Sequence, residues 1–167
     1  MYKLHLQLKK TMKASYLFHP KFSLLGWLLA IPAATFGLMM LFGILDGDFL
    51  GRVQVFAIYA QRFLSDDVYF GFVSTDLADE LISLVLTIGL LLIAFSAERE
   101  EDEFIRHLRL ESLVWATKVN YLILIFFILF FYEGGFFYGL VFNMFTLLIL
   151  FILRFRISLF MSRRDGK

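Results

Sequence analysis

The stretch LVWATKVNYLILIFFILFFYEGGFFYGLVFNMFTLLILFIL, residues 113–153, decides the fold. Two apolar runs, 113–132 and 136–153, flank Glu133, Gly134 and Gly135. Each is near the ~20 residues that carry a helix across ~30 Å of hydrocarbon. A chain in lipid must satisfy its own backbone polar groups, so both runs read as helices. The glycines free the chain to reverse between them, which predicts a tight antiparallel helical hairpin.

Two more apolar stretches precede this pair, at residues 22–45 and 81–97. The chain of 167 residues is 60% hydrophobic with 22 Phe and a mean hydropathy of +0.76, more apolar than soluble domains, which run near half. The expectation is an all-α integral membrane protein, a four-transmembrane-helix bundle forming one domain. Its parts are a cytoplasmic arm (1–21), the first span, an outer loop (46–80), the second span, a charged cytoplasmic connection (98–112), the hairpin pair and a cytoplasmic tail (154–167). Residues 22–45 are about twice as long as a signal-peptide core, and no A-x-A pattern follows, so they are read as a span. With no Cys, disulfides, thiolate nucleophiles and Cys-ligated metals are excluded.

The net charge of +1 hides an uneven division of Lys and Arg. Lys3, Lys9, Lys10, Lys13 and Lys21 precede the first span, Arg99, Arg106 and Arg109 follow the second, and Arg154, Arg156, Arg163, Arg164 and Lys167 follow the fourth. The other two connections hold only Arg52 and Arg62. The positive-inside rule then puts both ends and the 98–112 connection on the cytoplasmic side. Trp27 and Trp115 at inner ends, with Tyr132 and Tyr138 at outer ends, suit interfacial anchors.

Within 46–80, Val53 to Tyr59 and Val68 to Val73 around Ser65, Asp66 and Asp67 read as a short extracytoplasmic hairpin. The hairpin is the favoured reading; the competing one places Phe49, Val53, Phe56, Ala60 and Phe63 on one side of an amphipathic helix in the interface. Ser74 or Thr75 with Asp76 and Asp79 suits a helix cap before the second span. Gly26, Ala30, Ala33, Ala34 and Gly37 recur at three- and four-residue intervals in the first span, which invites close helix packing, and Pro32 removes one backbone bond there. The inner end of the fourth span is apolar all round and is expected to face lipid or a second subunit, making a homo-oligomer one expectation.

The connection Glu98 to Ser112 concentrates acid before base and contains no Gly or Pro, which suits the start of a long helix continuing into the third span. Glu98, Glu100, Glu103, Arg106, Arg109 and Glu111 are the candidate partner-binding residues, read as an exposed charged strip. A sharper reading takes Glu100, Glu103, His107 and Glu111 as a metal or proton-shuttle site. Against it stands a solvated face with pairs Asp102–Arg106 and Glu103–His107, each worth ~0.2–0.5 kcal/mol. No other span offers matching ligands, and GxSxG, HExxH, P-loop and GxGxxG motifs are missing. No metal, cofactor, catalytic residue or direct nucleic-acid partner is therefore expected.

Polar groups within the spans are Thr35, Thr87, Lys118, Asn120, Asn143 and Thr146. Lys118 lies about one turn inside the boundary, where it can snorkel. Asn120 is assigned near the inner side and Asn143 near the outer, so they are not expected to form a single ion site but to hydrogen-bond neighbouring helices. In the arm, Tyr2, Leu4, Leu6 and Leu8 alternate with polar residues, which suits a strand added to a partner, while Leu4, Leu8 and Met12 suit a basic helix on the anionic leaflet.

The run from Ser96 to Ala116, with Asn120-Tyr121 and Asn143-Met144-Phe145, resembles a family of small, uncharacterised bacterial four-span membrane proteins. That resemblance implies the four-span architecture and an inner-membrane location, and it assigns no catalytic residue. The favoured expectation is a non-enzymatic regulatory, accessory or scaffold component that engages a protein partner through its charged connection. An oligomeric pore or small transporter lined by Thr35, Thr87, Asn120 and Asn143 is the alternative, and a carboxylate–histidine membrane enzyme the third.

Overall fold

The computed structural model describes residues 17–46, 51–61, 67–98 and 101–165. In chain order these form α1 (Lys21–Leu41), β1 (Arg52–Ala60), β2 (Val68–Asp76), α2 (Ala78–Ala94), α3 (Glu103–Phe130) and α4 (Gly134–Asp165). The protein is mostly helical, but the connection between α1 and α2 holds a two-stranded sheet, which corrects an all-α description and replaces the interfacial helix at Val53, Phe56 and Ala60, while Phe49 and Phe63 of that reading lie outside the described residues. Among the described residues α1, α3 and α4 are long and apolar enough to cross a membrane. Residues 1–16 of the N-terminal arm, Ser65, Asp66, Arg99 and Glu100 lie outside the described residues.

The chain divides into two compact units, one made of Leu28–Ile88 and the other of the described residues before and after it. In the first, α1 runs unbroken through Pro32. It ends at Leu41 rather than Leu45 because Gly43 takes φ +66°, and the amides of Gly43 and Ile44 turn back to the carbonyls of Met40 and Met39 at 3.0 and 2.8 Å. A left-handed glycine closing two such bonds satisfies the last carbonyls and stops the helix. The strands then pair antiparallel from Arg52 opposite Asp76 to Ala60 opposite Val68. Tyr59 donates to the Asp67 carboxylate at 3.1 Å, a bond that holds the phenol above its ordinary ionisation range. Asp76 accepts the Ala78 amide at 3.0 Å and starts α2, so the cap expected near Ser74 and Thr75 falls on the acid.

In the other unit α3 and α4 form the expected antiparallel pair. The reversal occupies Phe131 to Glu133, and the left-handed residue is Glu133 at φ +53°, while Gly134 and Gly135 already belong to α4. Both helices outrun their predicted spans. The 28 residues of α3 begin with Asp102 capping the Ile105 amide at 2.8 Å. The expected tail is also helical, because α4 continues through Arg154 and Arg156 to Asp165. The stretch expected to be open on all sides is not: Phe151, Ile152, Phe155 and Leu159 form a buried stripe while Leu153 and Ile157 are exposed.

The small residues of α1 do pack closely. A Cβ on Gly26 would fall 2.7 Å from the Gly89 carbonyl oxygen and 2.9 Å from the Ile93 amide nitrogen, whereas one on Gly37 would reach the Ile82 side chain at an ordinary 3.5 Å. Backbone cannot step aside as a side-chain tip can. Gly26→Ala should therefore destabilise the protein by about 1–3 kcal/mol, the usual cost of overpacking, while Gly37→Ala leaves it within error. Unfolding of both variants in mixed micelles measures the difference, and equal effects would contradict the contact.

Candidate functional site

Residues 94–112 form the best-defined polar cluster, and it begins with the end of a helix. The final carbonyls of α2 have no intrahelical donors, and α2 carries no basic residue in its last turn. The Phe95 amide and the Ser96 hydroxyl meet the Leu91 and Leu92 carbonyls, and the donor for Ala94 comes from α3. Arg109, 7% exposed, donates to the Ala94 carbonyl at 2.9 Å and the Ser96 carbonyl at 3.3 Å. It also meets the Glu101 carboxylate at 3.3 Å and lies 4.4 Å from the Phe155 ring centre. Charge, orphan carbonyls and ring face are all satisfied by one planar fork.

A second carboxylate extends the cluster. Glu98 pairs with Arg156 at 3.1 Å and Arg163 at 3.4 Å, and its amide donates to Glu101 at 2.8 Å. Arg156 also reaches the Ser23 hydroxyl at 2.9 Å near the start of α1. Phe18 joins by a short parallel bridge, its amide donating to the Phe95 carbonyl and its carbonyl accepting from Ala97, both at 2.9 Å. The start of α1, the end of α2, the start of α3 and the inner end of α4 are thereby tied by polar bonds.

The predicted partner-binding residues consequently separate. Glu98 and Arg109 are turned inward and engaged within the chain, and Arg106 is half-buried. Glu103 and Glu111 are exposed, together with His107. His107 pairs with Glu111 at 3.2 Å rather than with Glu103, and the Asp102 carboxylate is taken by its capping bond rather than by Arg106. Among the described residues no group of three or more His, Asp or Glu side chains is placed to hold a metal ion.

The polar residues expected within the spans are placed as follows. Thr35 and Thr87 donate to their own helices, to the Ile31 and Ser83 carbonyls at 2.9 and 2.8 Å. Asn120 and Asn143 bond each other, with amide-to-oxygen distances of 3.4 and 3.3 Å. This corrects their assignment to opposite sides: in an antiparallel pair, residues at equal distances from the turn share one level, and these two do. Lys118 is exposed, as are Trp27, Tyr132 and Tyr138, and Trp115 lies under Arg154 with 5.4 Å between guanidinium and ring centre. No family model, curated protein or solved structure matches this chain.

Sequence spacing missed the role of Arg109 because its partners are carbonyls thirteen and fifteen residues away. The available signal was a lone Arg within the otherwise apolar and small stripe Ile105, Arg109, Ser112, Ala116 and Asn120. Removing one member of a buried charge pair costs about 3–5 kcal/mol, so Arg109→Gln should lower stability by that order. Arg109→Lys should recover only part of it, since an ammonium cannot span the same acceptors. Glu103→Gln and Glu111→Gln should stay within about 0.5 kcal/mol of the parent in the same unfolding assay.

Proposed function

We propose that this is a four-span inner-membrane protein with no catalytic role, which acts as a regulatory or accessory component by presenting the exposed side of α3 to a cytoplasmic protein. The observation that carries the reading is the division of charge on α3. Arg109 is buried and engaged with α2, Glu101 and Phe155, whereas Glu103, His107 and Glu111 repeat every four residues on the exposed side, beside exposed Phe104 and Leu110. An acidic strip edged by two large apolar side chains suits a basic, amphipathic partner segment. The residues of the pore reading bond to their own helix or to each other, which leaves them few free polar groups to line a path.

Four spans are favoured by two observations. The 17 residues of α2 extend ~25 Å, within the range for a crossing helix. The polar ties among Ser23, Ala94, Arg109 and Arg156 gather at one level the start of α1, the end of α2, the start of α3 and the inner end of α4, as four alternating crossings require. The basic residues then assign that level to the cytoplasm. The resemblance to small bacterial four-span proteins agrees with this reading.

Topology is tested with single cysteines in this Cys-free chain. An impermeant thiol reagent applied to intact cells should label Gln54→Cys and Glu133→Cys, and should reach Glu103→Cys and Arg164→Cys only after the membrane is opened. Labelling of Glu103→Cys from outside would overturn the orientation.

Function is tested by reversing only the exposed charges. The triple variant Glu103→Lys, His107→Glu, Glu111→Lys should insert and unfold like the parent yet lose the protein that copurifies with it from native membranes. Recovery by the parent should weaken with salt, which screens exposed charges over ~10 Å at 0.1 M. An unchanged copurifying set, or ion flux through the purified parent in liposomes, would overturn the reading.

A further inference from the structure

The β1–β2 hairpin presents two different faces. Alternation along paired strands puts Val55, Ala57 and Tyr59 with Tyr69, Gly71 and Val73 on one side, where Val73 is buried and the Tyr59–Asp67 bond lies. The other side carries Phe56 opposite Phe72, with Ile58 and Phe70 beyond them. These four side chains are 58%, 72%, 66% and 72% exposed, respectively, although the two paired rings touch edge to face at 5.6 Å. Phe70 sits in the left-handed region at φ +50°, which a non-glycine residue adopts under strain. An isolated two-stranded hairpin is marginal in water, and one with four uncovered apolar side chains is more so.

We infer that this Phe56–Ile58–Phe70–Phe72 face rests in the headgroup region of the bilayer, so that the hairpin is a membrane-surface element rather than a free extracytoplasmic loop. The inference depends on the reading that α1 and α2 cross the membrane. Three features select the bilayer. Only Leu77 separates β2 from α2, so the root of the hairpin lies at the end of an apolar helix, and Phe42 and Ile44 after α1 are also exposed. The apolar face therefore begins within a few residues of apolar helix, across the root of the hairpin. Its polar residues, Gln54 and Ser74 with Arg52 opposite Asp76, are confined to that root, and the opposite charges need no anionic lipid. Finally, aromatic side chains bury ~150–250 Å² each when fully covered, so this partly covered set offers on the order of 500 Å², short of the ~800 Å² per partner in a stable dimer.

The test uses the full-length protein in phosphatidylcholine vesicles with Trp27→Phe and Trp115→Phe as background. Single reporters are placed by Phe72→Trp and Phe56→Trp on the apolar face, Val53→Trp on the other face, and Val85→Trp within α2. Lipids brominated near the headgroup should quench the Phe72 and Phe56 reporters several-fold more than the Val53 reporter, equally with or without anionic lipid, while aqueous iodide shows the reverse order. Lipids brominated deep in the chains should quench the Val85 reporter. Iodide quenching of Phe72→Trp and Phe56→Trp with Val85→Trp still quenched by deep lipid would overturn the hairpin inference alone. Failure at Val85 would overturn the spanning reading and the inference with it. Cross-linking of Phe72→Cys between copies at high dilution in lipid would replace the bilayer with a second copy of the chain.

Discussion

A buried guanidinium at the end of a helix is the constraint on which the rest of the helical assembly depends. The end of α2 concentrates partial negative charge and unpaired carbonyls where it has no basic residue of its own. Arg109 meets both needs from another helix, and Glu101 balances its charge. Once that contact forms, the rotation of α3 about its axis is settled. A helix advances ~100° per residue, so residues two before and two after Arg109 lie ~200° around it. His107 and Glu111 face outward because Arg109 faces inward, and Ile105, Ser112, Ala116 and Asn120 follow it into the core.

The same geometry sets the register of α3 against α4. Arg109 meets Phe155, Asn120 meets Asn143, and the Phe127 ring lies across Gly139, three contacts at matching distances on either side of the turn. Sliding one helix by a single residue would break all three. Side-chain amides that bond across helices in lipid contribute about 0.6–2 kcal/mol, modest against the packing but enough to penalise a slipped pair. Small residues assist: Ala116 and Ser112 are almost fully buried and let the backbones approach.

Apolar run lengths and turn residues were sufficient to locate the helices and the extension of α3 ahead of its apolar run, and to favour a hairpin between α1 and α2, because each follows local periodicity. Their ends were less legible. The stop at Leu41 depends on the backbone of Gly43, and α4 continues through Arg154 and Arg156 because polar residues there still find partners in Trp115, Glu98 and Ser23. The candidate site was legible only in part. Four-residue spacing sees neighbours on one helix, so it proposed Glu103 with His107 and treated Glu98 and Arg109 as solvated. It cannot see a carbonyl at the end of another helix, nor that two asparagines twenty-three residues apart share a level across a turn.

The division of charged groups between inward and outward positions bears on where recognition can occur. Binding needs groups whose hydrogen-bonding or apolar capacity is still unspent, because a contact taken from the fold must first be broken. Glu98, Glu101 and Arg109 hold helix ends together, and recruiting any of them would cost a buried pair. Glu103, Phe104 and Leu110 are exposed and form no part of the packed interior. Because α3 is one helix with no Gly or Pro from Glu103 to Phe130, load on its exposed end passes through Arg109 before it reaches the Asn120–Asn143 level. The residue that ties α3 to the end of α2 is thus also the first buried charge that a partner on the exposed side of α3 would strain.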